Sequence, residues 1–220
     1  MGQLVEILAP LHTRTRRDYM GRMMDEKVHC SLVAREYGEA YWDGDRRYGY
    51  GGYRYDGRWA AVAQRLIERY GLADDARILD VGCGKGHLLY ELSRLLPRAE
   101  VTGFDLSGYA IAHSKEEIRD RLFVGNAEEP FAFADKQFDL VFSLMTLHNL
   151  PLPGLARAVA EIERTGQRQY IAVESYRTVE ELFNLECWAL TCETFFRPEE
   201  WTWLFDRIGC DCDYEFLYFE

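Results

Sequence analysis

Three glycines at alternate positions follow an apolar run near the middle of the chain. Residues 78–81 lead into Gly82, Gly84 and Gly86, and a helix-like segment begins at His87. Glycine is needed where a loop turns sharply and a ligand must approach the backbone. The helix N-terminus behind the loop adds free N–H groups and a partial positive charge. This spacing predicts a ligand-binding turn, although a bare glycine triplet is equally compatible with a tight turn that binds nothing.

Polar side chains follow the next two predicted strands. Asp105 ends the second strand, where a carboxylate can accept both hydroxyl groups of a ribose. Asn126, within the stretch 125–128, follows the third strand, where an amide can read an adenine edge. An open parallel sheet binds its ligand at the carboxyl ends of its strands. Together with the glycine loop, these residues predict a nucleoside site.

Candidate proton acceptors follow the fourth and fifth predicted strands. His148 lies just past the fourth strand and is the first choice for a general base, the alternative being a histidine that caps a helix or fills a loop. Glu174 and Tyr176 end the fifth strand and are candidates to orient or deprotonate an acceptor, although Glu174 is also placed to pair with an arginine. The aromatic residues Trp188 and Trp201 form either a second pocket wall or part of the core.

A segment rich in tyrosine, arginine and glycine, residues 46–58, precedes this region. We interpret it as a lid that covers the site and excludes water, and the alternative is a loop packed on the following helix. Its Tyr50, Tyr53, Arg54 and Arg58 are candidate contacts for an anionic substrate or for a cofactor carboxylate.

Alternating strands and helices must position these residues. Continuous apolar strands separated by helices are typical of a parallel sheet covered on both faces. We predict a doubly wound, Rossmann-like α/β fold with a mostly parallel sheet of six to seven strands. An N-terminal helical cap and lid, residues 1–57, precedes the binding domain, residues 58–220. The predicted strands are 77–81, 100–104, 122–124, 138–143, 170–173 and 214–219, and the predicted helices are 13–37, 58–70, 87–96, 109–117, 155–164 and 198–208.

Composition narrows the class of partner. The 220 residues carry a net charge of −11, which argues against a long nucleic acid because binding one requires a basic surface. No apolar run is long enough to cross a bilayer, and the first residues lack the features of a signal peptide, so we expect a cytoplasmic protein. Four of the six cysteines, Cys187, Cys192, Cys210 and Cys212, lie close in sequence but miss the usual zinc spacings, so we expect free thiols and no metal.

The stretch 76–175 resembles the class I S-adenosylmethionine-dependent methyltransferases. The resemblance is carried by the D-x-G-x-G-x-G signature of residues 80–86 together with Asp105. It implies that Asp80 and Gly82 hold the methionine ammonium of the cofactor, that Asp105 holds the ribose, and that Asn126 and Ala127 flank the adenine. Asn126 stands where many members have aspartate. The full cofactor set that the resemblance implies is Asp80, Gly82, Gly84, Gly86, Asp105, Leu106, Asn126, Ala127 and Ser143.

The expected activity is methyl transfer to an oxygen, or else a nitrogen, of a small molecule such as a sugar or a phosphorylated metabolite. Two alternatives stay open: a nicotinamide-dependent oxidoreductase, whose loop has the spacing G-x-G-x-x-G, and a non-catalytic protein that binds S-adenosylmethionine. The resemblance also implies a final antiparallel hairpin, but the chain after Gly209 has room for only one strand.

Overall fold

One six-stranded sheet organises the part of the chain that the structure describes. The computed structural model describes residues 2–12, 17–51 and 53–220. Its strands are β1 (Arg77–Val81), β2 (Glu100–Asp105), β3 (Leu122–Val124), β4 (Leu140–Leu144), β5 (Gln169–Glu174) and β6 (Asp213–Leu217). They pair in the order β3-β2-β1-β4-β5-β6, and every neighbouring pair is parallel. The predicted doubly wound sheet is confirmed, and its strand order reverses between β1 and β4, which places a crevice at their carboxyl ends.

Helices cover both faces of the sheet. On β1, Ile78 packs towards one face with Leu66 and Leu89, while Leu79 packs towards the other with Leu155 and Trp201, because successive strand residues point to opposite sides. The helices are α1 (Ala9–His12), α2 (Tyr19–Met24), α3 (Lys27–Ala34), α4 (Glu39–Trp42), α5 (Ala60–Tyr70), α6 (His87–Leu95), α7 (Gly108–Ala112), α8 (Leu152–Thr165), α9 (Val179–Trp188) and α10 (Pro198–Ile208). Within the described ranges, no helix is both long and apolar enough to cross a lipid bilayer.

Two predicted helices differ from the observed ones. Of the predicted helix 13–37, residues 13–16 lie outside the described residues, and the remainder is divided into α2 and α3 because Glu26 adopts a φ of 43°. The predicted helix 109–117 is also wrong. The observed helix α7 ends at Ala112. Two residues later, the Ser114 hydroxyl donates to the Ile111 carbonyl and so competes with helical hydrogen bonding. A 3-10 turn at Glu116–Arg121 follows.

The far edge of the sheet departs from the antiparallel hairpin that the resemblance implies. β6 pairs with β5 in parallel, and α9 and α10 lie between them in the chain. Beyond β6, the amide of Val5 donates to the Tyr214 carbonyl, and the Tyr214 amide donates to the Gln3 carbonyl, both at 3.0 Å. Among the described residues there is no seventh strand, and the N-terminal chain covers this edge instead.

Candidate active site

The glycine loop joins β1 to α6 and closes one side of the crevice. Gly82 and Gly84 have φ values of 84° and 54°, in the left-handed region that favours glycine. A Cβ atom on Gly82 would lie 2.2 Å from Oγ1 of Thr146, so the residue type is fixed by space as well as by φ. Gly86 has a different role, because a Cβ atom there would meet Ile118 and Leu122 at 2.7 Å. It permits close packing behind the loop.

A cavity of about 430 Å³ lies at the carboxyl ends of the strands. Its wall brings together most of the side chains that the sequence singled out. Gly86, Ser143, Arg54 and Tyr176 lie outside this wall. The candidate residues within it are Tyr50, Tyr53, Arg58, Asp80, Gly82, Gly84, Asp105, Leu106, Asn126, Ala127, His148 and Glu174.

Ser143 and Tyr176, which lie outside the wall, have structural contacts of their own. Ser143 is buried, and its hydroxyl donates to the Val81 carbonyl at 2.8 Å across neighbouring strands. Tyr176 packs its ring against the guanidinium of Arg197. Arg54 is exposed to solvent.

Asp80 and Asp105 place two carboxyl groups beside the glycine loop, of which Asp80 is buried and Asp105 is partly exposed. Asp105 accepts hydrogen bonds from the amides of Gly84 and Ser107, each at 2.8 Å. Asp80 is 5% exposed, and no hydrogen bond or salt bridge from another described side chain reaches its carboxylate. Burial, and then the charge of Asp105, raises the pKa of Asp80 well above its usual range. Burial also raises the pKa of Asp105, against the effect of the two amides. A bound cation next to Asp80 would relieve this arrangement.

The other end of the crevice contains the His148–Glu174 pair. The chain turns at Met145, whose φ is 57°, and His148 follows in a 3-10 turn, Leu147–Asn149. The Glu174 amide donates to Nδ1 of His148 at 3.4 Å, which leaves the proton on Nε2. That Nε2 atom lies 3.5 Å from Oε2 of Glu174.

Burial sets the charge state of this pair. It lowers the pKa of His148 to about 3 and raises the pKa of Glu174 to about 8, the latter against the positive charges of Arg17 and Lys27. Both side chains are therefore neutral at pH 7. A neutral pair of this kind donates and accepts hydrogen bonds without bringing a charge into the cavity.

The N-terminal cap packs directly on the glycine loop. The Trp42 ring lies so close to Gly84 that a Cβ atom there would sit 2.8 Å from it. The Trp42 indole N–H donates to the Ser107 hydroxyl at 2.8 Å, next to Asp105. Lys85, inside the loop, forms a 2.7 Å salt bridge with Asp43 of the cap. These contacts make the cap one wall of the cavity.

Tyr50 and Tyr53, the two tyrosines of the predicted lid, are held in place by contacts with other residues. The Tyr50 hydroxyl accepts a hydrogen bond from the Leu190 amide at 2.7 Å. The Tyr53 ring lies 4.6 Å from the Trp42 ring. Burial raises the pKa of both hydroxyls above their usual range, so both stay protonated.

The sequence analysis did not identify the cavity residues that come from the N-terminal segment. Leu8, Leu11, His12 and Arg17 all line the cavity, although they lie far from the glycine loop in sequence. Leu8 is held there by Glu215 of β6, which is buried and accepts hydrogen bonds from the amides of residues 7 to 9, and Nε2 of His12 lies 3.0 Å from the Tyr218 carbonyl. No local pattern marks such a long-range contact. Lys85 did carry a signal, because it lies inside the glycine motif itself.

Comparison with known proteins supports the interpretation of the crevice as a cofactor site. Residues 78–168 match the protein family described as "Methyltransferase domain". The chain carries a class I S-adenosylmethionine-dependent methyltransferase domain. The cofactor of such a domain is S-adenosylmethionine. Asp80, residues 82–85 and Asp105 of this domain line the crevice described above.

Relatives of this methyltransferase domain include two curated enzymes. A malonyl-acyl-carrier-protein O-methyltransferase of Legionella pneumophila is 37% identical over 92 residues, which are 40% of this chain and 32% of that protein. A trans-aconitate 2-methyltransferase of Variovorax paradoxus is 30% identical over 112 residues, which are 49% of this chain and 43% of that protein. The chain thus spans less than half the length of these curated relatives.

Solved structures share the fold of the domain. YcgJ of Bacillus subtilis matches with a TM-score of 0.54 at 19% identity, over 66% of each chain. A geranyl diphosphate C-methyltransferase of Streptomyces coelicolor matches with a TM-score of 0.55 at 16% identity, over 67% of this chain and 59% of that one. At these identities the similarity concerns the fold.

Proposed function

We propose that this protein transfers a methyl group from S-adenosylmethionine to an oxygen atom of a small molecule. The observation that carries the proposal is Asp80, a buried carboxylate in the cavity wall with no hydrogen bond or salt bridge from another described side chain. The ammonium group of the cofactor supplies the missing cation. S-adenosylmethionine brings a methyl group on a positively charged sulfur, which makes that carbon strongly electrophilic.

The cofactor lies along β1 to β3 in this proposal. Asp80 holds the ammonium, while Asp105 accepts the ribose hydroxyls with the lone pairs that its two amide contacts leave available. Leu106, Asn126 and Ala127 border the adenine. Residues 1–57 act as a cap that excludes water, and Trp42 and Asp43 hold it on the glycine loop.

The methyl acceptor lies along β4 to β6 in this proposal. His148 and Glu174 contact it as a neutral pair, which suits orientation of the acceptor more than removal of its proton below pH 8. Positioning supplies much of the rate of such a transfer, because the cofactor is already activated. Transfer to oxygen is favoured because relatives of the domain include O-methyltransferases, among them the malonyl-acyl-carrier-protein O-methyltransferase.

Calorimetric titration with three ligands tests the cofactor assignment. We expect S-adenosylhomocysteine and 5′-methylthioadenosine, which lacks the amino-acid moiety, to bind and NAD not to bind. Asp80→Asn should weaken S-adenosylhomocysteine by about tenfold or more, the scale of a charge-assisted hydrogen bond, and leave 5′-methylthioadenosine unchanged. Asp105→Asn should weaken both.

A matched control is Asp74→Asn, since Asp74 pairs with Arg98 on the surface away from the cavity. It should change none of the three affinities. Binding of NAD in place of S-adenosylhomocysteine, or an equal effect of Asp80→Asn on both adenosine ligands, would contradict the proposal.

A further inference from the structure

The outward face of α2 is apolar. Met20, Met23 and Met24 are spaced three and four positions apart, so they lie on one side of the helix, and each is at least 41% exposed. The other side is fixed to the body of the protein by Arg22, which is buried and donates to the Gly49 carbonyl at 2.8 Å. A surface helix normally packs its apolar side on the core. In α2 the cation turns inward and the methionines turn outward.

Helix α3 repeats this arrangement. Lys27 turns inward, where its Nζ atom donates to the Cys187 carbonyl at 2.7 Å, and only small residues, Cys30 and Ala34, are buried. Val28 and Leu32, one turn apart, are 75% and 63% exposed. Two successive helices of the cap therefore turn their large apolar side chains to the outside.

Helix α9 lies beside α2 and extends this surface. The Tyr19 ring of α2 lies 6.3 Å from the Trp188 ring of α9. On the first part of α9, Val179 and Phe183 are again one turn apart and exposed. We call the exposed apolar side chains of these three helices the outer apolar face: Met20, Met23, Met24, Val28, Leu32, Val179 and Phe183. They are seven of the fourteen exposed large apolar side chains among the described residues.

The area of the outer apolar face is that of a protein interface. With about 150–200 Å² for each large apolar side chain, the exposed fractions of 41–81% amount to roughly 700 Å². The largest apolar patch on a typical monomer is about 300–600 Å². One side of a specific protein interface buries about 800 Å². The face is therefore large enough to hold a partner.

The charges around α2 and α3 favour a second copy as that partner. The chain carries a net charge of −11, but residues 1–57 contain nine basic and nine acidic residues and are neutral. Asp25 and Glu26, between the two helices, both pair with Arg47 at 2.8 Å. A strongly basic or acidic partner would find no opposite charge there, whereas an apolar and neutral surface matches itself across a two-fold axis. Glu180 of α9 is exposed, so we place α2 and α3, and not α9, at the axis.

We infer that two copies of this chain associate through the outer apolar face, with α2 and α3 of each copy packed on those of the other. The interface then lies on the outer side of the helices whose Arg22 and Lys27 bind backbone carbonyls of the cap and of α9. Association braces the cap above the cavity. This inference goes beyond the proposed function and does not depend on it.

Sedimentation velocity of the full chain at concentrations from about 1 to 100 μM tests the inference, because standard interfaces have micromolar or tighter affinity. We expect a species of twice the monomer mass and a thermal midpoint that rises with protein concentration. Met24→Glu and Leu32→Glu should each weaken association by about a hundredfold or more, because the new carboxylate occurs twice in a two-fold interface. Both positions are exposed in the monomer, so the variants should keep the circular dichroism spectrum of the unaltered chain.

The matched control is Leu152→Glu, since Leu152 is also an exposed helical leucine but lies on α8, away from the outer apolar face. It should leave association unchanged. A monomer throughout the concentration range would overturn the inference and leave the face to a different partner. A dimer that persists in both Met24→Glu and Leu32→Glu, or that Leu152→Glu disrupts to the same extent, would also overturn it. Binding of S-adenosylhomocysteine does not enter this test, so failure of the proposed function would leave its outcome readable.

Discussion

The imidazole of His148 and the carboxyl group of Glu174 face each other at 3.5 Å in the cavity wall, and burial moves their pKa values in opposite directions. Between pH 4.5 and 8 the folded protein keeps a proton on Glu174 that the unfolded chain has released. The Glu174 contribution to the free energy of unfolding therefore falls as pH rises through this window and is constant above it. His148 acts oppositely between pH 3 and 6.5, because the unfolded chain then binds the extra proton.

The two effects oppose each other up to pH 6.5, so the effect of Glu174 stands alone from pH 6.5 to 8. We predict that the unaltered protein loses stability across this interval relative to Glu174→Gln. Urea denaturation at a series of pH values measures the difference. Glu181→Gln is the control, because Arg177 lowers the pKa of Glu181, which is then ionised in both states throughout the interval. Parallel curves for Glu174→Gln and the unaltered protein would show that Glu174 is ionised in the folded state.

Glu215 anchors the N-terminal segment to β6, and its removal should release that segment. Replacement by alanine leaves the amides of Ile7 and Leu8 buried without their acceptor. We expect a loss of about 2–4 kcal/mol in the free energy of unfolding, since each buried unsatisfied donor costs about 1–3 kcal/mol. Urea denaturation measures the loss, and faster hydrogen exchange at residues 7–9 locates it. Tyr170→Phe removes one donor to the same carboxylate and should cost less. Unchanged exchange in Glu215→Ala would disprove the anchor.

Gly82 is constrained by both φ and space, whereas Gly57 is constrained by φ alone. Their φ values are 84° and 79°, but nothing lies within 4 Å of a Cβ atom built on Gly57. Gly57→Ala should cost about 1–2 kcal/mol of stability, the cost of the left-handed conformation. Gly82→Ala should cost more and should abolish binding of S-adenosylhomocysteine, because Thr146 must move. Calorimetry and urea denaturation measure both effects. Equal behaviour of the two variants would mean that crowding at Thr146 is unimportant.

The Asp43–Lys85 salt bridge holds the cap on the glycine loop. With Asp43→Asn we expect S-adenosylhomocysteine to dissociate about tenfold faster, the scale of one charge-assisted contact, because the cap opens more often. Stopped-flow measurement of the dissociation rate checks this. Asp25→Asn breaks a salt bridge with Arg47 within the cap and should leave the rate unchanged. A rate that responds equally to both substitutions would point to general loosening of the cap.

The sheet and much of the crevice follow from local sequence. Apolar runs and glycine spacing mark β1 and its loop, and strand ends mark Asp105, His148 and Glu174, because parallel strands bring their carboxyl ends to one edge. Hydrophobic periodicity does not reveal where these helices end. The break at Glu26 depends on backbone conformation, and the early end of α7 at Ala112 depends on a side-chain hydrogen bond.

Contacts between distant segments were beyond sequence reasoning. His12 and Arg17 lie at the cavity through contacts with the other end of the chain, since His12 Nε2 is 3.0 Å from the Tyr218 carbonyl and the Arg17 guanidinium lies over the Phe219 ring. Trp42 and Asp43 reach the glycine loop through contacts with Ser107 and Lys85 that no spacing predicts. Tyr176 shows the converse limit. It follows β5 directly, yet its ring turns to Arg197 and away from the cavity wall.

A crystal structure of the full chain with S-adenosylhomocysteine tests the central claim most directly. We predict density for the ligand across the glycine loop, with its ammonium nitrogen within hydrogen-bond distance of Asp80 and its ribose hydroxyls on Asp105. Density in which the amino-acid moiety lies away from Asp80, or a crevice without ligand at saturating concentration, would contradict it.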